Sequence, residues 1–138
     1  MMEEIIQLLR NDVTLTLVVK SADGSLHRFN QRGVKDLLAL VTTMPEVLHG
    51  ALIADKAVGK AAAACMVQGG VAQVYANVMS EPAMAMLHKH GVKADCDQMV
   101  DHIINRNGTD WCPMEKLSRD VDDPSAIILR IQNFFATH

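Results

Sequence analysis

The stretch GALIADKAVGKAAAACMVQGGVAQVYANVM, residues 50–79, constrains the fold more than any other part of the chain. Its first apolar run, ALIA, is short and lacks polar alternation, the mark of a strand covered on both faces. The segment from Lys56 to Gln68 carries small residues on most sides and predicts a closely packed helix, ended by Gly69-Gly70. VAQVYANVM then predicts a second strand. Strand, helix and strand in succession imply parallel pairing, because parallel neighbours need a crossover between them.

The flanking segments extend this pattern. Residues 3–10 place Ile5, Ile6, Leu8 and Leu9 on a short helical face. Val13, Leu15, Leu17 and Val19 alternate as in a half-buried strand, and Asp23-Gly24 is a hairpin turn into a second strand, SLHRF. A helix follows from Val34 to Val41 and stops near Pro45. Ser80 or Glu81 caps a helix with Pro82 in its first turn and Gly91 at its end. VKADC predicts a brief strand, residues 97–104 a helix, and NRNGTDW a loop. Cys112 opens a short helix, and Asp123-Pro124 opens the last, which runs to about Ala136. The expected fold is α/β: a three-layer α/β/α sandwich around a mixed five-stranded sheet, one domain over residues 1–138.

Composition narrows the function classes. Acidic residues number 16 against 13 basic ones, and aromatics make up 4% of the chain, so neither a basic stripe nor a base-stacking platform for nucleic acid is expected. The amino terminus MMEEIIQLLR is acidic and amphipathic, unlike a signal peptide. No apolar run reaches the roughly 18 residues of a membrane span. Three cysteines, Cys65, Cys96 and Cys112, show no disulfide spacing and suit the cytoplasm.

The segments ADKAVGKAAA, NVMSEPAM and NRNGTDWCPMEKL, with the element order, resemble a family of small uncharacterised bacterial and archaeal proteins of cytidine-deaminase-like fold. The resemblance spans roughly residues 12 to 118 and implies a fold but no established reaction. Active deaminases of this fold hold zinc through a signature H-x-E with P-C-x-x-C, the metal acidifying a water. Following local sequence, SEPAMAM aligns with the E-P-C-x-x-C turn, so the zinc cysteines fall on Ala83 and Met86, and H-x-E falls on Ala54-Asp55-Lys56. Counting elements instead, H-x-E falls in QRGVK and P-C-x-x-C in DKAVGK; this register is preferred. Neither supplies the ligand set, so no zinc, no other cofactor and no zinc-dependent deamination are expected.

The residues that carry chemistry gather at the expected strand ends, where α/β proteins bind ligands. Asp55, Lys56 and Lys60 fall where a strand turns into a helix. A helix amino terminus offers free N–H groups and partial positive charge, and Lys56 and Lys60, one turn apart, would share a face. An anionic metabolite such as a nucleotide is the expected ligand, with Gly59 permitting close approach; the bland alternative is a cap followed by solvated lysines. Ser80 and Glu81 would join from the next strand end, or merely cap their own helix. Arg106 and Cys112 would close the pocket, Cys112 as a thiolate candidate in a capping box with Glu115, or the loop would be a plug around Trp111. Arg32 and Lys35 would approach the same crevice or be surface charge. Two other classes stay open. One is a metal-independent enzyme with Cys112 or the Asp55/Lys56 pair as nucleophile or base. The other is a homodimeric scaffold joined through the small-residue helix 56–68.

Overall fold

The computed structural model describes residues 2–31, 34–105 and 107–137. Its sheet starts from the hairpin. β1 (Leu17–Lys20) and β2 (Leu26–Phe29) pair antiparallel, and the Asp23 carboxylate at the turn accepts from the Ser25 amide at 2.9 Å. β1 also pairs antiparallel with β3 (Leu52–Val58), Leu17 opposite Asp55. From there the strands run parallel, β3 beside β4 (Gln73–Ser80) and β4 beside β5 (Lys93–Val100). The crossovers are α4 (Lys60–Gly69) and α5 (Glu81–Lys89). The result is an open mixed sheet of five strands in the order β2-β1-β3-β4-β5.

Helices cover its faces unequally. On one face α1 (Met2–Asn11) lays Ile5 and Leu9, one turn apart, against Val18, Ala54 and Tyr75. On the other, a larger core is built from α2 (Lys35–Thr43), α3 (Pro45–Leu48), α4, α5, α6 (Pro113–Ser118) and α7 (Pro124–Thr137). The strands alternate between the two: Val18 faces α1, while Leu17 and Val19 face the larger core. That period slips in β3 and β4. Ile53 and Val74 feed the larger core, and so do Val58 and Met79, of opposite parity.

α4 is the central helix of this core. Every residue from Lys60 to Met66 is buried. Four alanines let α2, α3, α5, α6 and α7 pack around it, which larger side chains would hold apart. The small-residue surface expected to meet a second subunit is therefore covered by the chain's own helices. The helix ends at Gly70, which takes the left-handed conformation at φ 77° while its N–H reaches Met66 O and Val67 O.

Three boundaries differ from the sequence expectation. The helix expected from Lys56 starts at Lys60, because β3 continues through Val58, paired with Met79 of β4. Asp55 and Lys56 are thus strand residues, and Lys56 and Lys60 share no helical face. Residues 97–100, expected as helix, complete β5, with Gln98, Met99 and Val100 opposite Val78, Met79 and Ser80. The first strand starts at Leu17 rather than Val13, which is 83% exposed. Before it, the Asp12 carboxylate accepts from both the amide and the hydroxyl of Thr14, forming a turn. In the first two cases inter-strand hydrogen bonds override local helix preference. Among the described residues no helix is long and apolar enough to cross a membrane.

Candidate functional site

Beside the carboxyl end of β3 a cleft of about 900 Å³ opens between the Val13–Thr16 approach to β1, Asn30 and Gln31 after β2, the start of α4, residues 103–105 with Asn107, and the end of α7. Its walls mix apolar side chains (Val34, Ala61, Ala62, Phe134, Phe135) with the amides Asn30, Gln31, Asn105 and Asn107. A second hollow of about 410 Å³, at the amino ends of β4 and β5, is lined mainly by residues at the surface and holds no buried ionisable group.

Asp55 and Glu115 are both buried acids of the cleft lining. The place of Asp55 in β3, two residues after Ile53 of the larger core and next to Ala54, which faces α1, turns it toward the larger core rather than toward α1. It is 8% exposed. Its hydrogen bonding comes from backbone, the Ala57 amide reaching Oδ1 at 3.3 Å. Among the described residues no cation lies within ion-pairing distance of it. Burial pushes its pKa up to about 7, and the charge of Asp36 adds to the rise; the Ala57 and Lys56 amides oppose it.

The cations around it are occupied elsewhere. The Lys56 ammonium lines the cleft but donates to Val13 O at 2.8 Å. The Lys35 ammonium, also at the cleft, sits 5.5 Å from the centre of the Phe135 ring. Lys60 is not part of the lining: it is 6% exposed and its ammonium pairs with Asp122 Oδ1 at 2.7 Å, holding that carboxyl below its ordinary range. Ser80 is fully buried, and its Oγ accepts from the Ala83 amide at 3.3 Å as the cap of α5. Glu81 is exposed in the first turn of α5, away from the cleft. Arg32 and Arg106 lie outside the described residues.

Cys112 lines the cleft at the start of α6, and its side chain makes no capping hydrogen bond. The other thiols are unsuited to reaction: burial pushes Cys65 up to about 12, and burial with the Asp95 and Asp97 charges raises Cys96. Trp111 is half-buried, stacked on His102 with ring centres 4.0 Å apart.

Glu115 does not form the expected capping box with Cys112. Its Oε1 accepts from the Lys60 amide and its Oε2 from the Ile103 amide, each at 2.8 Å. The amino terminus of α4, expected to hold a ligand anion, thus receives a carboxylate from α6 instead. Gly59 makes this possible: a Cβ there would lie 2.7 Å from Glu115 Oε1. What approaches Gly59 closely is the chain's own acid. A sequence signal for this partner existed, because Gly59 leaves α4 without a local side-chain cap and some remote acceptor has to meet its free amides. The lining Asn, Gln and Phe residues carried no such signal. Among the described residues no three His, Cys, Asp or Glu side chains gather to hold a metal ion.

These features define a mixed α/β protein with a ligand-sized cleft floored by a buried acid, beside the end of a central strand. The chain belongs to the family described as TM1506, a domain of unknown function (DUF1893), which matches residues 4–135. Among solved structures it is similar to a DUF1893 family protein (TM1506) from Thermotoga maritima, with 27% identity and a TM-score of 0.85 over 95% of this chain and 87% of that one. No curated protein matches it.

Proposed function

We propose that this chain is a cytidine-deaminase-like protein that binds a small metabolite in the cleft beside β3, with Asp55 as the central polar contact. The helix, hairpin and helix–strand order around the sheet supports the fold assignment. One observation carries the binding assignment: a carboxyl group 8% exposed, without a side-chain partner among the described residues, lines a cleft of about 900 Å³. Burying such a group with backbone amides but no cation beside it is costly, and sites that tolerate the cost are enriched in function. The anionic ligand expected from the sequence loses two of its supports, since Glu115 fills the α4 terminus and Asp122 neutralises Lys60.

A ligand of this cleft raises the melting temperature by mass action, by about 2.7 kcal/mol of stability at a hundredfold excess over Kd. A thermal-shift screen of nucleosides, nucleotides, amines and carboxylic acids should yield such a compound for the parent chain. Asp55→Asn should abolish the shift; a shift that survives this substitution intact places the ligand elsewhere. A second reading, a metal-independent enzyme, is favoured by the value of about 7 for Asp55, which suits a group that both takes and gives a proton near neutrality, with Cys112 in the same cleft. Turnover of the bound compound, lost in Asp55→Asn but not in Cys112→Ser, would identify Asp55 as its base.

A further inference from the structure

Resting on the cleft assignment above, we infer that the ligand presents a protonated nitrogen, or a paired N–H edge of amidine type, to the Asp55 carboxylate. Among the described residues Asp55 receives only backbone amides, and a hydrogen-bonding position on a buried carboxylate is left for a donor. The charged and titratable groups around it, among the described residues, do not provide one. Lys56 is bonded to Val13 O, Lys35 lies over Phe135, and both oxygens of Glu115 are taken by amides. Asp36 adds further negative potential, so an arriving acid group meets repulsion and an arriving cation does not. The apolar part of the lining, with Val34, Ala61 and Phe135, lowers the local dielectric and strengthens a charge-assisted pair. A planar two-donor group matches the fork of a carboxylate better than a single ammonium, and a ring attached to it has apolar walls to rest on.

Benzamidine and benzoate share a ring and differ in the sign of their head group, so the pair separates ligand class from cleft. The test is titration of each into the full-length, isotope-labelled chain, followed through the backbone amides of Asp55, Ala57, Gly59 and Ala61. Benzamidine is expected to shift these amides, at least about tenfold more tightly at pH 8 than at pH 5, because the carboxylate must be ionised. Asp55→Asn should weaken it at least about tenfold and flatten the pH dependence. If that variant fails to fold, the pH dependence of the parent chain decides alone. Benzoate shifting these amides while benzamidine does not overturns the ligand class and leaves the cleft standing. Silence from both overturns class and cleft together, and benzamidine binding indifferent to pH overturns the role of Asp55.

Discussion

Asp55 shows how one side chain depends on its register. In β3 the residue beside it, Lys56, reaches out to Val13 O, while Asp55 turns into the larger core side of the sheet. The energetic consequence is a carboxyl that favours its proton in the folded state. Its ordinary pKa of 3.8 rises to about 7, so between these values the folded chain holds a proton that the unfolded chain has released. The Asp55 contribution to stability is therefore full below pH 3.8 and is lost as pH rises through about 7. Its size is at most about 4 kcal/mol, taking about 1.4 kcal/mol per pKa unit. Asp55→Asn removes this dependence. In urea denaturation the variant is expected to gain on the parent between pH 4 and pH 8; a difference that stays constant over that range would show that Asp55 is not desolvated as described. Exposed acids such as Asp110 and Asp120, held below their ordinary range by Lys116 and Arg130, titrate with the opposite sign, so the comparison has to be made between variant and parent.

At the scale of the element, α4 is built from residues whose individual preferences matter less than their size. Alanine makes the helix easy to form and lets five other helices close on it. Its amino terminus lacks a local cap, and Glu115 supplies the acceptor from α6 across the Gly59 backbone. Glu115→Gln places an amide nitrogen where one of two N–H donors needs an acceptor, and is expected to cost about 2–3 kcal/mol. Gly59→Ala drives a methyl group against the carboxylate and is expected to cost at least about 1 kcal/mol. Combined with Glu115→Ala, the Gly59→Ala change should become cheaper, because the colliding group is gone. A double-mutant cycle in chemical denaturation measures this coupling; strict additivity would mean that Glu115 and Gly59 do not meet.

For the molecule as a whole, the sheet divides into a protected centre and an open margin. β3 and β4 are covered on the larger core side and flanked by strands, whereas β5 is an edge strand with Met99 44% exposed and charged residues at Lys93, Asp95 and Asp97. Such charges discourage a further strand from pairing there. Hydrogen exchange should follow this division: amides of β3 open only with the whole fold, and outward amides of β5 exchange at least about a hundredfold faster. Equal protection of β5 would point to an edge covered in solution by another chain.

Much of this was legible beforehand. The strand and helix order, the hairpin at Asp23-Gly24 and the Ser80 cap follow from apolar period and turn chemistry, which act between near neighbours. The cleft was only partly legible. Asp55, Lys56 and Cys112 were named from the sequence and do line it, whereas Lys60, Ser80 and Glu81 do not. The difference arises at one boundary: three more residues of strand after Asp55 carry Lys60 away from the crevice and into a pair with Asp122. The sequence by itself determined that a buried strand carries the charged pair Asp55-Lys56 and passes into a helix too small in its side chains to be anything but central. Only the tertiary structure decided where that strand stops and which acid meets the helix. Strand ends are set by hydrogen bonds to neighbouring strands, and free amides take whatever acceptor the fold brings, here a carboxylate 55 positions further along the chain.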